Sequence, residues 1–441
     1  MSSTDIVPRH YPKIPELIRR DTGELSQEAL DSQVFGRAML EKMIQAGPRE
    51  PKLVSSAHGT ISHILLTIPG YAVRSARGEA NPLASAYEDL LAKLPPTIRF
   101  TVLTHGSVAG TVEQWFTAAG FTSAQIVSVP DHLHFSVWAE DGYVVAEDAA
   151  SNETFLIEPF EFPRYADGLM ADFASNSTAL SHTQAPLYFQ GGNVLIGDDF
   201  FLIGADYPAN TMKYIDRVIM PGAGEAPVDA IHRLYREYMD ANRTLHYVGS
   251  TVGVPSQTTR PIVVDGEPWT EVLYMGNKPG TVQPLFHIDM FISLAGRDAS
   301  GRYQVLVGDP GLAATALGVP LWPHAMQEVF DSVATGLQRL GFAVTRNPLP
   351  LVYVDDGSER TRIWYFATSN NALVQIPDSG EKRVWLPAYG FGNWTSLTVT
   401  DTANRELWES LGFTATLLSD FHPFAENLGA VHCIKKYLGR G

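Results

Sequence analysis

Gly429-Ala430-Val431-His432-Cys433-Ile434 holds the only cysteine of this 441-residue chain. A lone thiol makes no internal disulfide and no cysteine-cluster metal site, so Cys433 is either an inert core residue or a nucleophile. A second segment bears on the choice. Phe286-His287-Ile288-Asp289 reads as a β-type stretch, in which residues two apart share a face. A free thiol with a pKa near ~8.5 is scarcely ionised at neutral pH and needs a base and a charge partner to act. His287 and Asp289 offer the base and its orienting carboxylate, although spacing alone only suggests the pairing.

Composition narrows the partners. With 45% hydrophobic and 18% charged residues the chain is an ordinary globular protein. Its net charge of −16 argues against nucleic-acid binding, which needs basic stripes to displace counterions, and suits a cationic substrate. No segment approaches the roughly 18 apolar residues of a membrane helix, and the first residues show no export signal. One cysteine and no such signal lead to the expectation of a cytoplasmic protein with no membrane partner; a homo-oligomer is left open.

Residues 1–58 read as an N-terminal extension with one amphipathic helix over about Gln27 to Ala46, stopped by Gly47-Pro48. From Ile61 strand signals alternate with helices. Ile64 to Ile68 is a buried-strand run, Pro82 to Leu94 a helix, and Phe100 to Leu103 a strand. Three helices end on Gly-Phe, at Gly120-Phe121, Gly341-Phe342 and Gly412-Phe413, as a left-handed C-cap with a phenylalanine folding back requires. Two hairpins recur, one turning at Asp198-Asp199 and one at Arg297 to Arg302. These echoes predict about five copies of a strand-and-helix unit, near 75 residues each, over 60–441. The whole of 59–441 is therefore expected to be one α/β catalytic domain.

Two further segments carry polar groups at corners. Val137-Trp138-Ala139-Glu140-Asp141-Gly142 sets two carboxylates beside an aromatic, and Phe189-Gln190-Gly191-Gly192-Asn193 is a Gly-Gly corner before a hairpin. Each alone reads as an acidic turn or simple turn chemistry. Asp131-His132-Leu133-His134 reads as a strand with outward histidines, since no third metal ligand accompanies it. Gly222-Ala223-Gly224 lacks the third glycine and preceding strand of a dinucleotide fingerprint. No organic cofactor and no obligatory metal are expected.

Taken in order, Trp138-x-x-Asp141, Gly191-Gly192-Asn193, His287-x-Asp289, Asn371-Ala372-Leu373-Val374-Gln375-Ile376-Pro377, Leu386-Pro387-x-Tyr389-Gly390 and the closing Val431-His432-Cys433 resemble the guanidino-group-modifying superfamily. Its members include arginine, agmatine and protein-arginine deiminases and amidinotransferases. The resemblance implies a pentein fold, a five-bladed α/β propeller of repeated strand-helix units. It also implies Cys433 as nucleophile, His287 as general acid and base, and Asp141 and Asp289 gripping the two sides of a guanidinium. The chemistry agrees, because a planar cation with forked N–H donors calls for carboxylates. This chain departs from the agmatine and free-arginine patterns: Gln190 stands where an acid is usual, Glu140 where an arginine is usual, and Trp364-Tyr365-Phe366 precedes Asn371. The expected substrate is then a peptidyl or substituted arginine. Gln190 and Asn193 would meet its backbone, and Trp138 and Trp364 would line its aliphatic stem.

Overall fold

The computed structural model describes residues 47–74, 81–218 and 224–441, with a few helical positions before them. The N-terminal helix expected over Gln27 to Ala46 falls outside the described residues except at Ser32, Gly36, Met39 and Leu40.

Five sheets repeat one pairing: a strand, an antiparallel partner, and a third strand parallel to that partner. The third strand is reached through a helical crossover, as parallel pairing demands. The first sheet joins Val144–Asp148, Thr154–Glu158 and Ser181–Gln184. The second joins Val194–Ile196, Phe200–Gly204 and Thr244–Val248. The third joins Ile292–Arg297, Tyr303–Asp309 and Ala343–Pro348. The fourth joins Leu373–Gln375, Lys382–Ala388 and Phe413–Asp420. In the fifth, Lys435–Arg440 pairs antiparallel with Ile61–Ile68, which lies parallel to Arg99–His105, so the last repeat is assembled from both ends of the folded part. The units begin at Val144, Val194, Ile292, Leu373 and Lys435. Their spacing is uneven, because a sixth sheet is inserted. It pairs Thr258–Val264 with Glu267–Leu273, and Thr361–Phe366 with Leu351–Asp356. The two halves meet where Glu267–Leu273 runs parallel to Thr361–Phe366.

Local chemistry sets the boundaries. Asn81 caps the helix Pro82–Lys93 by accepting from Leu83 N at 3.0 Å, with proline in the first turn. Gly120, Gly341 and Gly412 have φ of 85°, 95° and 84°. Behind the first two, Phe121 N and Phe342 N reach back to Phe116 O and Leu337 O at 2.9 and 3.2 Å. That is the six-to-one bond of a glycine C-cap.

Three expectations change. The folded body begins before residue 59: Pro51–Leu53 pairs with Val144–Asp148, and Ser56 N bonds Ile196 O at 2.8 Å. His287-x-Asp289 is not strand; His287 is extended and Ile288–Met290 forms a 3-10 turn, so the two side chains are brought together by a turn and not by a shared strand face. Asp131 to His134 lies in a turn after Ala124–Val129, where Asp131 accepts from Ser107 Oγ at 2.7 Å. Among the described residues no helix is long and apolar enough to cross a membrane.

Candidate active site

Each of the five repeats carries its polar corner in the same place, immediately before its first strand. Trp138 to Asp141 precedes Val144, Gln190 to Asn193 precedes Val194, His287 to Asp289 precedes Ile292, Asn371 precedes Leu373, and His432-Cys433 precedes Lys435. Hydrogen bonds tie these corners into a closed cycle. Gly191 N donates to Asp141 O at 3.0 Å, and Ile288 N to Asn193 Oδ1 at 3.0 Å. Asn371 Nδ2 donates to Asp289 O at 3.3 Å, and His432 N to Asn371 Oδ1 at 2.9 Å. Glu140 N then donates to Cys433 O at 3.1 Å, joining the fifth corner to the first.

Cys433, His287, Asp141 and Asp289 are brought to one centre. The Cys433 Sγ lies 3.5 Å from Asp289 Oδ2 and accepts from Asn371 Nδ2 at 3.1 Å. Asn371 Oδ1 meanwhile accepts from Ala430 N, His432 N and Cys433 N at 2.9 to 3.1 Å. One amide thus shapes the whole nucleophile turn and points a donor at its sulfur. His287 Nε2 meets Gln190 Oε1 at 2.7 Å. The amide oxygen only accepts, so Nε2 carries the proton and, in the neutral ring, Nδ1 presents a lone pair. That Nδ1 faces Asp141 Oδ1 at 3.5 Å. Gly192 lies against the same point: a methyl there would fall 2.6 Å from His287 Nδ1, 3.1 Å from Asp141 Oδ1 and 3.2 Å from Asp289 Oδ2. Asp141 Oδ1, Asp289 Oδ1 and His287 Nδ1 are all buried with no hydrogen-bond partner among the described residues. His287 Nδ1, Asp141 Oδ1 and Asp289 Oδ2 thus gather around one point beside Gly192, and the first two have no hydrogen-bond partner among the described residues.

Burial raises the Cys433 thiol well above its ordinary range, and the carboxylates of Asp289 and Asp141 push it further. Burial likewise lowers His287, although Asp141 and Asp289 pull the other way. Without a cation in it, the site holds a thiol and a neutral imidazole.

Supports that the sequence did not reveal surround these groups. Arg164 bridges Asp141 Oδ2 at 2.6 Å and Asp167 Oδ2 at 2.5 Å, which fixes the outer oxygen of Asp141 and leaves the inner one free. His432 Nδ1 lies 2.9 Å from Asp289 Oδ2. Glu140, Lys435 and Lys436 form a buried triad with contacts of 2.6 and 2.9 Å. Asn371, His432 and Glu140 stood in segments singled out from the sequence, though not in these roles; an arginine in a loop or a lysine pair in a strand carries no such signal.

The four residues expected to contact substrate are placed differently. Gln190 holds His287. Asn193 spends all its capacity on protein, donating to Gly204 O and Gln283 Oε1 and accepting from Gln283 Nε2 and Ile288 N. Trp138 packs edge-on against Phe424 at 6.1 Å and presses on Gly429, where a methyl would lie 2.3 Å from its ring. It therefore lies beneath the nucleophile turn. Trp364 belongs to the inserted sheet and donates to Glu271 Oε1 at 2.5 Å. Among the described residues one group has metal-ligating spacing, Glu158, Asp172 and His182, and none of the three lies on a site corner.

No protein-family model matches the chain, and no curated protein matches it in sequence. Solved structures do match. A structural-genomics target provisionally assigned as an agmatine deiminase superposes with a TM-score of 0.57 at 12% identity, over 88% of this chain and 95% of the other. The agmatine deiminase of C. jejuni gives 0.54 at 10%, over 89% and 97%, and that of Enterococcus faecalis 0.54 at 13%, over 89% and 96%. The chain has the α/β pentein fold of these agmatine deiminases.

Proposed function

We propose that this protein is a guanidino-group deiminase, in which the five repeated sheets are the blades of a ring closed around the site. The observation that carries the reading is the gathering of His287 Nδ1, Asp141 Oδ1 and Asp289 Oδ2 around one point beside Gly192, the first two buried and partnerless among the described residues and the third 3.5 Å from Cys433 Sγ. Leaving such atoms unpaired costs about 1–3 kcal/mol each, and a guanidinium supplies five donors in one plane. Asp141 and Asp289 would take its two sides.

Binding the cation offsets the two negative charges that hold the thiol protonated, so substrate itself promotes thiolate formation. Sγ then attacks the guanidino carbon as its proton passes to Nδ1 of His287, which becomes the imidazolium. The bond from that carbon to a terminal nitrogen breaks as His287 delivers a proton, and ammonia leaves. Water adds to the resulting thiouronium carbon, His287 takes the proton, and the C–S bond breaks to give a ureido product and free thiol. The substrate of this reading is a peptidyl or substituted arginine. Gln190, where agmatine enzymes carry an acid, is occupied with His287 and supplies no charge for a second ammonium.

Ammonia and ureido product measured on N-acetyl-arginine amide, free arginine and agmatine, with and without an added amine, test the proposal. Ammonia release without amine, lost in Cys433→Ala, is expected, with kcat/KM highest for the amide. Turnover that needs the amine would make the protein an amidinotransferase; no reaction under either condition would overturn the chemistry.

A further inference from the structure

The imidazole of His287 is contested by two neighbours. Gln190 Oε1 lies 2.7 Å from its Nε2, and Asp141 Oδ1 lies 3.5 Å from its Nδ1. Both oxygens accept, and a neutral imidazole has one N–H and one lone pair, so only one of them can be served. Distance decides between them. Hydrogen on Nδ1 would leave two lone pairs facing each other at the 2.7 Å contact with Gln190, whereas hydrogen on Nε2 leaves the mismatch at the 3.5 Å contact. Reversing the Gln190 amide does not rescue the first arrangement. Nδ1–H would then have to reach Asp141 Oδ1 at 3.5 Å, outside the roughly 2.7–3.2 Å of an N–H···O bond. Phe286 holds the plane of the ring, stacked on its face with centroids 3.9 Å apart and 27° between planes.

Taking the protein as a deiminase, we propose that Gln190 is a positioning residue that keeps His287 neutral, with Nδ1 bare, in the free protein. Being an amide and not a carboxylate, it leaves the thiol proton of Cys433 an acceptor to go to when substrate arrives. The groups around the ring come from every side. Asp141 and Glu140 belong to the first corner, Asp289 to the turn of His287 itself and Cys433 to the fifth corner. Arg164 reaches in from the segment after Thr154–Glu158, and Tyr207, on the helix Asp206–Val218, has its hydroxyl 3.5 Å from Nε2. Asp141, Asp289 and Glu140 favour a charged ring, Arg164 opposes it, and burial, the largest influence, keeps His287 below its usual value. A neutral amide does not disturb this balance. A carboxylate in its place would draw a second proton onto the ring, and an imidazolium has no lone pair for a thiol proton. The enforced tautomer also turns the Nδ1 lone pair toward Asp141 Oδ1 with no donor of the protein between them. One N–H of a guanidinium placed there serves both.

The pH dependence of two rates tests the proposal in wild type, Gln190→Glu and Gln190→Leu: kcat/KM for N-acetyl-arginine amide, and alkylation of Cys433 by a haloacetamidine. The ring nitrogens of His287 are read by nitrogen-15 NMR on histidine-labelled protein, with the signal assigned by its loss in His287→Ala. In wild type near neutral pH, Nε2 is expected to be protonated and Nδ1 bare, and both rates should fall only below the usual imidazole pKa of about 6.5. Gln190→Glu should move that acid limb up by about one pH unit or more, with the loss recovered in base. Gln190→Leu should leave the limb in place, lower both rates about tenfold at every pH and put hydrogen on Nδ1. A protonated Nδ1 in wild type, or an acid limb that Gln190→Glu does not move, would overturn the role of Gln190. If no guanidino compound releases ammonia while alkylation follows the shifted limb and Nδ1 is bare, that role stands and the deiminase reading falls.

Discussion

At neutral pH Cys433 is held as a thiol by burial and by the charges of Asp289 and Asp141, and this separates it from an ordinary exposed cysteine. Neutral iodoacetamide should react with the free protein slowly, at a rate that climbs as pH rises above the usual thiol range. A haloacetamidine, whose cation cancels the charges that keep the thiol protonated, should alkylate Cys433 faster and with a flatter pH profile. Equal rates for the two reagents would mark a thiol with no cation site beside it. Asp141→Asn and Asp289→Asn should each lower kcat/KM by at least ~100-fold, since a charge-assisted contact of about 3 kcal/mol is lost in the transition state. A loss below fivefold would assign that residue to structure. Gly192→Ala places a methyl 2.6 Å from His287 Nδ1 and should abolish turnover and lower the melting temperature, on the scale of about 1–3 kcal/mol for an overpacked core, while leaving the circular dichroism spectrum near wild type. At this scale the sequence carried much of the centre. Cys433, His287, Asp141 and Asp289 are all residue types with chemistry of their own, and they meet. Arg164 and Gln283 could not be foreseen, nor the part of His432 although it stands in the closing motif, because their parts depend on a distance and not on a residue type.

The corner before each first strand is the element that does the positioning, and its stability depends on few bonds. Asn371→Ala removes the acceptor of three backbone N–H groups in the nucleophile turn and should destabilise the protein by about 2–4 kcal/mol. Asn371→Asp keeps that acceptor but replaces the donor on Sγ by a negative charge. Because it also loses the bond to Asp289 O and buries a charge, it should be destabilised as well, while shifting the onset of iodoacetamide reactivity to higher pH. The Glu140 triad gives a pH-dependent counterpart. Burial alone would raise the Glu140 carboxyl, but Lys435, Lys436 and His432 bring it down to about 2. Its folded value lies below its unfolded one, so the stability it contributes is present above pH 4.5 and is lost as pH falls from there toward 2. Glu140→Gln strands two buried ammonium groups and should cost about 3–5 kcal/mol at pH 7. Urea midpoints should then fall less steeply with acid in the variant than in wild type. Elements were legible where one residue dictates the backbone, as at the Gly-Phe helix ends. They were misread at His287-x-Asp289, where alternate polar residues fit a strand and a 3-10 turn equally well and packing decided for the turn.

Across the whole molecule, the repeat was legible through its helix ends and hairpins, but its period was not. The inserted sheet pairs Thr270 with Thr361 and Val272 with Ile363, contacts between distant segments that no local pattern announces. The seam between Lys435–Arg440 and Ile61–Ile68 is fastened by Arg440, whose guanidinium donates to Ser56 O, Ala57 O, Gly59 O and Val374 O at 2.8 to 3.0 Å. Arg440→Met should cost about 3 kcal/mol, read as a lowered denaturant midpoint together with lost haloacetamidine labelling. The seam also bears on oxidation. Cys433 obtains its shielding only when Lys435–Arg440 has found a partner from the opposite end of the folded part; until then its sulfur is an ordinary thiol with a pKa near ~8.5. Peroxide and disulfide reagents attack thiolate that they can reach. The chain is therefore chemically vulnerable while it is assembling and protected once assembled, and oxidative damage to this protein should fall on molecules that have not yet finished folding.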